Sequence, residues 1–354
     1  MSRPRIISIL VPVFSLILLG QGCTGGSTTS NAADGGVYKT PDRGTTWVQK
    51  RVLVKDAKTY TLGNDPITAI VLDPEDHKTV YAGTTERGII MSLNGGDSWE
   101  EVTKGPKGSR IESIAVDTKD KCTMYAAMKN KLYKTNNCGR DWSEMFFDPN
   151  TLKVFKVVKA DWYNPTILYA GTSEGDVFRS TDAGLSWLVA TRANAAVTDI
   201  LIDLRDSRTV YVATAGDGIK KTMDGGNTWM PITQQFKDFT NATHVNSLAM
   251  DNAQSPSLYA TSKYGILASQ DGGMTWNALK LTSDVGTVDI LDVSVNSRNE
   301  KEIQYITKTA IIFSSDKGVT WIAKRLPSTR PATALVTDDQ DGNTIYLGVG
   351  AAAK

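Results

Sequence analysis

KTMDGGNTW, Lys221–Trp229, is one spelling of a phrase that the chain writes seven times. The others are KTPDRGTTW ending at Trp47, MSLNGGDSW at Trp99, KTNNCGRDW at Trp142, RSTDAGLSW at Trp187, ASQDGGMTW at Trp276 and FSSDKGVTW at Trp321. Seven of the eight tryptophans close a copy, at intervals of 42 to 52 residues. A fixed period of ~40–50 residues marks an architecture built from one repeated supersecondary unit.

The unit reads most clearly in VTDILIDLRDSRTVYVATAGDGIKKTMDGGNTWMPIT, residues 197–233. TDILID is apolar and β-branched, LRDSR is a polar turn, TVYVAT a second strand and AGDG a tight turn. IKKTM is a third strand, and WMPIT, after the DGGNT turn, a fourth. Four short strands separated by turn residues form an antiparallel meander. A sheet with two apolar faces is not stable alone, and radial stacking of copies around an axis buries both faces. The predicted fold is therefore all-β, a propeller.

The ends of the chain set the blade number. PATALVTDDQDGNTIYLGVG (331–350) supplies the first two strands of a unit, and GGVYKT with TTWVQK (35–50) supplies the last two. Six complete units plus these complementary halves give seven blades over residues 35–354, the closing one shared between the two ends.

Each copy of the phrase fits [ST]-x-[DN]-x-G-x-[STD]-W. An Asp or Asn in a turn accepts hydrogen bonds from backbone N–H groups just downstream. Glycine supplies positive φ, and tryptophan brings a large apolar surface with one N–H to satisfy. The residues so placed are Asp42 and Trp47, Asn94 and Trp99, Asn137 and Trp142, Asp182 and Trp187, Asp224 and Trp229, Asp271 and Trp276, and Asp316 and Trp321. Two copies use Asn, and none carries the further oxygen ligands and terminal Glu of a calcium loop. The motif is thus expected to be structural, and His77 and His244 are too far apart in sequence to suggest a metal site. No metal or cofactor is predicted.

The opposite face carries the turns between second and third strands and the links between blades. It forms the channel mouth where a ligand is expected. Its charged residues lean basic, which would attract an acidic partner. Lys104 is counted among them, and VKDAKTYTLGNDP (54–66) is read as one of the two longest mouth links. Arg110, Lys156, His244, Lys263 and Arg330 are the candidate partner-binding residues. Glu86, Glu112, Glu174, Asp199 and Asp217 are the carboxylates from which a hydrolase would draw a pair.

The N-terminus, MSRPRIISILVPVFSLILLGQGC, has two arginines, an apolar run from Ile6 to Leu19, small residues and then Cys23. This is a secretory signal, 1–22, with a core shorter than the ~20 residues of a membrane span. Its end resembles a bacterial lipobox, although Gly20 stands where such boxes usually have Leu. The resemblance implies lipidation of Cys23 and a membrane anchor on an exported, envelope-associated protein. Residues 23–34 read as a flexible tether. Without Arg3 and Arg5 the chain has 37 basic and 38 acidic residues, which argues against nonspecific nucleic-acid binding. Folding CTMYAAMKNKLYKTNNC about Lys129-Asn130 brings Cys122 opposite Cys138, so a disulfide is expected in an oxidising compartment. A closed ring needs no second copy, and a monomer is expected.

The repeated phrase resembles the Asp box of bacterial neuraminidase repeats, and the resemblance spans the mature chain. Photosystem II stability/assembly factors are single seven-bladed propellers of this kind. Their second strands often read GWAVG, whereas this chain has VYAGT, LYAGT and VYVAT. That wording looks more like sortilin-type receptors and xyloglucan-cleaving glycosidases, which set two propellers face to face. Sialidases need an arginine triad and a tyrosine nucleophile, and the chain shows no such set. The resemblance implies a non-enzymatic binding or assembly module for a protein or glycan partner, with a glycoside hydrolase as the alternative.

Overall fold

The computed structural model describes residues 34–251 and 257–352. Signal peptide, Cys23 and nearly all of the tether lie outside them. Among the described residues the chain forms seven sheets, antiparallel except for one strand pair, and one short 3-10 helix, Gln234–Asp238. The innermost strands are Ile67–Leu72, Ile111–Val116, Phe155–Ala160, Val197–Ile202, Val245–Met250, Asp292–Val295 and Ala332–Thr337. Each touches the next, and the last touches the first, so the ring is closed. We number the blades from the closing one. Blade 1 orders Ala332–Thr337, Ile345–Val349, Gly36–Thr40 and Val48–Lys50, joining both ends of the chain as the sequence predicts. Gly36 to Thr40 pair with Val349 to Ile345 in unbroken register.

The second strands, of which VYAGT (80–84) is typical, are buried along their whole length because each is covered by neighbouring blades on both faces. The glycine of LYAGT shows how close that approach is. A Cβ on Gly171 would lie 2.3 Å from the Val197 Cγ1 of the next blade.

The repeated turn is a lock with three parts. In all seven copies the Ser/Thr hydroxyl accepts the N–H of the motif glycine, at 2.8 to 3.1 Å. The Asp or Asn Oδ1 accepts the N–H of the residue four positions on, at 2.7 to 2.9 Å. Two successive residues take positive φ, the second always glycine; the first is Arg43, Cys138, Ala183 or Lys317 in four copies. These bonds, led by those from the residue four positions on, hold Asp42, Asp182 and Asp316 down to about 2.

The first left-handed residue then ties the turn to two neighbours. Its N–H donates to the turn between first and second strands of its own blade in six blades: Arg43 to Asn343, Gly95 to Lys78, Cys138 to Cys122, Ala183 to Thr166, Gly225 to Arg208 and Lys317 to Lys301. Its carbonyl accepts from the preceding blade at five seams. Tyr346 and Lys39 reach Gly95, Lys134 reaches Ala183, Tyr169 reaches Gly225, Tyr211 and Lys221 reach Gly272, and Lys324 reaches Arg43. Three second-strand tyrosines, Tyr169, Tyr211 and Tyr346, thus have a defined structural partner. A second repeated lock escaped the sequence reading: Asp73, Asp117, Asp161, Asp203, Asn296 and Asp338 each accept the N–H two residues on, at 2.7 to 2.9 Å.

Three expectations change. Residues 54–66 are not a mouth link, because Val52–Lys55 and Lys58–Thr61 form a hairpin that joins the outer edge of blade 2, making it six-stranded. Its two-residue turn, Asp56-Ala57, has positive φ at both positions, the twist a tight hairpin needs. Lys104 reaches Asp141 in the repeated turn of blade 3 at 2.7 Å, on the face opposite the mouth. Asp34, assigned to the tether, is bound into the fold by the Thr329 N–H and hydroxyl and by the Tyr38 hydroxyl.

Cys122 and Cys138 form the expected disulfide, at the pair of positions joined by the backbone clasp described above. In blade 1 those positions are Asn343 and Arg43, from opposite ends of the chain. Asn343→Cys with Arg43→Cys should oxidise readily and seal the ring. Chain entropy for a loop of this length gives an upper limit of about 6 kcal/mol. Denaturant unfolding of this variant and of the wild type, each with and without reductant, measures it, since reductant also opens Cys122–Cys138; an equal shift of midpoint in both would show that blade 1 is not where the ring opens.

Candidate functional site at the channel mouth

The mouth is the end of the channel at which the inner strands begin. In six of the seven inner strands the second residue forms a bulge against the second strand. A bulge leaves one residue unpaired and re-aims its side chain. Here the bulge residues reach the neighbouring blade. Thr68, Thr198 and Thr333 donate to the carbonyls of Ile111, Val245 and Ile67, and Asn246 donates to that of Ile290, at 2.6 to 2.7 Å. Between blades 3 and 4 the same seam is an ion pair, Lys156 Nζ to Glu112 Oε2 at 2.6 Å.

One step deeper a second ring of side chains crosses the seams. Ser113 accepts the N–H of Val158, Asp199 that of Leu248 and Asp292 that of Leu335. The Ser247 hydroxyl donates to Asp292 at 2.7 Å. Asp199 also accepts the Ile200 N–H, with Lys159 3.9 Å away. Asp292, enclosed by three blades, is pushed up to about 6 by burial, a rise that its hydrogen bond from Ser247 opposes and the charge of Asp199 reinforces.

Of the predicted partner-binding residues, the structure gathers two. Arg110 and Lys156 share Oε2 of Glu112, at 3.2 and 2.6 Å. His244 opens the inner strand of blade 6 and accepts the Lys263 N–H on its carbonyl. The exposed Lys263 ammonium makes no ion pair among the described residues. Arg330 stands apart on blade 1, bound to the Asn64 carbonyl and side chain at 3.3 and 3.2 Å.

Several of the basic residues at the mouth are paired with carboxylates. Asp65 takes up Arg87, and Asp148 and Asp176 enclose Lys153 at 2.9 and 2.6 Å, with Arg192 on the outer side of Asp176. These partners lie 5 to 23 residues apart and meet only when a meander folds, so no local spacing reveals them. Of the hydrolase candidates, Glu112 is paired, Glu174 faces Asn150, Asp217 accepts the Asn194 N–H and Asp199 is locked in the channel. Glu86 is exposed on a turn with no side-chain partner among the described residues.

Apolar side chains at the rim were missed altogether. Leu152 is 85% exposed on the link into blade 4. A groove of about 370 Å³ at blade 6 is lined by Tyr264, Leu279, Leu281 and Val285, with Tyr264 packed edge-on against Phe239. Among the described residues, His77, Asp338 and Asp339 alone bring histidine and carboxylates close enough to share an ion. The two ring nitrogens face different carboxylates, at 2.6 and 3.1 Å. His77 thus bridges blades 1 and 2.

No protein-family model matches the chain. It is 26% identical over 218 residues to a probable oligoxyloglucan-reducing end-specific xyloglucanase of Neosartorya fischeri, a match covering 52% of this chain and 26% of that protein. The fold is similar to that of a GH74 xyloglucanase from Xanthomonas campestris, with TM-score 0.67, 16% identity, and coverage of 81% of this chain and 51% of that one. It is similar also to YCF48 bound to D1 peptide, with TM-score 0.62, 16% identity, and coverage of 81% and 94%. The chain thus spans about half the length of the solved xyloglucanase and about a quarter of the curated one, but nearly all of the YCF48 chain.

The Asp292 shift fixes a sign. Its native value, about 6, lies above its ordinary 3.8, so as pH rises between these values the unfolded chain releases a proton that the native state keeps. Stability falls across that window and no further above it. Asp292→Asn should remove this fall, gaining on the wild type by about 2 kcal/mol from pH 4 to pH 6. Any hydrogen bond lost adds only a pH-independent offset. Parallel slopes in urea unfolding would contradict the assignment.

Proposed function

We propose that the chain is an exported, lipid-anchored binding module that presents the channel mouth to a protein partner and performs no catalysis there. The observation that carries this is the mouth itself. Four of the five carboxylates a hydrolase would recruit already accept hydrogen bonds or ion pairs, while the rim exposes Leu152 and the Tyr264–Val285 groove. An apolar groove with a balanced polar surround suits a short amphipathic segment. YCF48, whose chain is covered almost entirely, is known in a form bound to a peptide, which supports a peptide over a glycan as the mouth ligand. Export and anchoring rest on residues 1–23. Cys23→Ala should abolish palmitate labelling of the expressed protein and release it from membranes.

A hydrolase is the second reading, favoured by the xyloglucanase relative and by Asp199 with Asp292, two carboxylates in unlike environments. Pairs whose environments drive their pKa values apart are the usual acid–base signature. Against this, the oxygens of both are engaged by backbone N–H groups, one from the next residue and one from the neighbouring blade.

A displayed library of random peptides separates the readings. The wild type should enrich an apolar consensus whose binding Val285→Asp reduces about tenfold, the loss of one buried apolar anchor. No enrichment, together with new reducing ends from a polysaccharide that Asp292→Asn abolishes, would make the protein an enzyme.

A further inference from the structure

The hairpin of blade 2 is surplus to the fold. The other six blades are complete with four strands. The hairpin joins its blade through only two parallel residue pairs, Leu53 with Trp99 and Val54 with Glu100. Its inner strand contributes Leu53, buried against Leu62 and Trp99, which fixes it in place. Its outer strand, Lys58–Thr61, is exposed at every residue.

Opposite Leu53 in the hairpin register stands Tyr60, 51% exposed. Beneath it opens a cavity of about 360 Å³ lined by Leu53, Lys55, Tyr60, Thr61, Arg87 and Glu101. The polar residues hold one another rigidly. Arg87 Nη1 donates to Glu101 Oε1 at 2.5 Å, Lys55 Nζ to Glu101 Oε2 at 3.2 Å, and Arg87 Nη2 to both Asp65 oxygens at 3.1 and 3.2 Å. Each keeps spare capacity, because a carboxylate accepts about four hydrogen bonds, an ammonium donates three and a guanidinium five.

We propose that this flank of blade 2 is a carbohydrate-binding subsite, in which the Tyr60 ring carries the C–H face of a pyranose while Glu101, Arg87 and Lys55 receive its hydroxyls. A sugar ring has one apolar C–H face and an edge of alternating donors and acceptors. The site offers the complement of both: a half-exposed aromatic platform and a fixed polar rim of either sign. Burial pushes Glu101 up, and the hydrogen bonds from Arg87 and Lys55 outweigh it, keeping the carboxyl ionised as an acceptor. With one carboxylate held between two cations, the site binds and does not hydrolyse, since hydrolysis takes an acid and a second carboxylate across the sugar. The subsite is independent of the mouth and would bring the protein to a glycan matrix while the mouth engages its partner.

The test is native electrophoresis of the full-length protein through gels containing xyloglucan, hydroxyethylcellulose, galactomannan or soluble chitin oligomers. At least one of these neutral probes should retard the wild type. Tyr60→Ala should weaken that binding about tenfold, Tyr60→Trp should preserve it, and Arg87→Lys, which loses the planar fork, should fall between. Tyr163→Ala, an exposed tyrosine on the face opposite the mouth, should match the wild type, and so should Val285→Asp, which separates this subsite from the mouth. Melting temperatures of the exposed-site variants should stay within a few degrees of the wild type. Free migration of the wild type in every gel, or equal retardation of Tyr60→Ala, would overturn the proposal.

Discussion

One backbone unit, the first left-handed residue of each repeated turn, connects most of this structure. Its N–H closes its own blade, and its carbonyl receives the tyrosine or lysine of the blade before. Both interactions depend on two consecutive positive φ angles, a conformation that L-residues with a Cβ adopt only at a cost. The Ser/Thr and Asp/Asn side chains offset that cost by satisfying the N–H groups the turn leaves over. Hence the motif is conserved within the chain at the polar positions, where Asn serves as well as Asp, and varies at the exposed ones.

Hydrogen bonds of this kind contribute on the order of 1 kcal/mol each, less than the roughly 1.5–3 kcal/mol from burying one large apolar side chain. Apolar burial therefore drives the blades together, and the second strands, buried on both faces, are where it acts. The polar rings decide something else. Threonine, asparagine, serine and aspartate crossing from one inner strand to the next fix the angular register between blades, and they occupy the channel in doing so. The carboxylates that make a propeller channel look catalytic are largely consumed by the ring. The raised Asp292 is a consequence of that packing, since burying an acid beside another acid favours its neutral form.

With these carboxylates engaged, the two recognition surfaces proposed above lie farther out, where the fold makes no demand. The groove at blade 6 and the hairpin flank of blade 2 are both built on links that the other blades keep short or omit. Such segments can change without disturbing the repeated locks, and loops positioned by a rigid scaffold are where binding residues accumulate.

Architecture was legible in the sequence because its determinants are local and written seven times. The turn phrase, the strand periodicity, the split closing blade and the Cys122–Cys138 pair all follow from residues within one meander or from the complementarity of the two ends. What the sequence did not contain is any quantity set by the meeting of blades. The pairing of Arg87 with Asp65, the enclosure of Lys153 by Asp148 and Asp176, the binding of Asp34 and the joining of Arg110 with Lys156 on Glu112 involve partners brought together by folding. The hairpin at 52–61 was misread for the same reason. A short polar-apolar alternation between two blades is equally consistent with a loop. Only the outer edge of blade 2, where Leu53 pairs with Trp99 and is buried with it, turned it into strand.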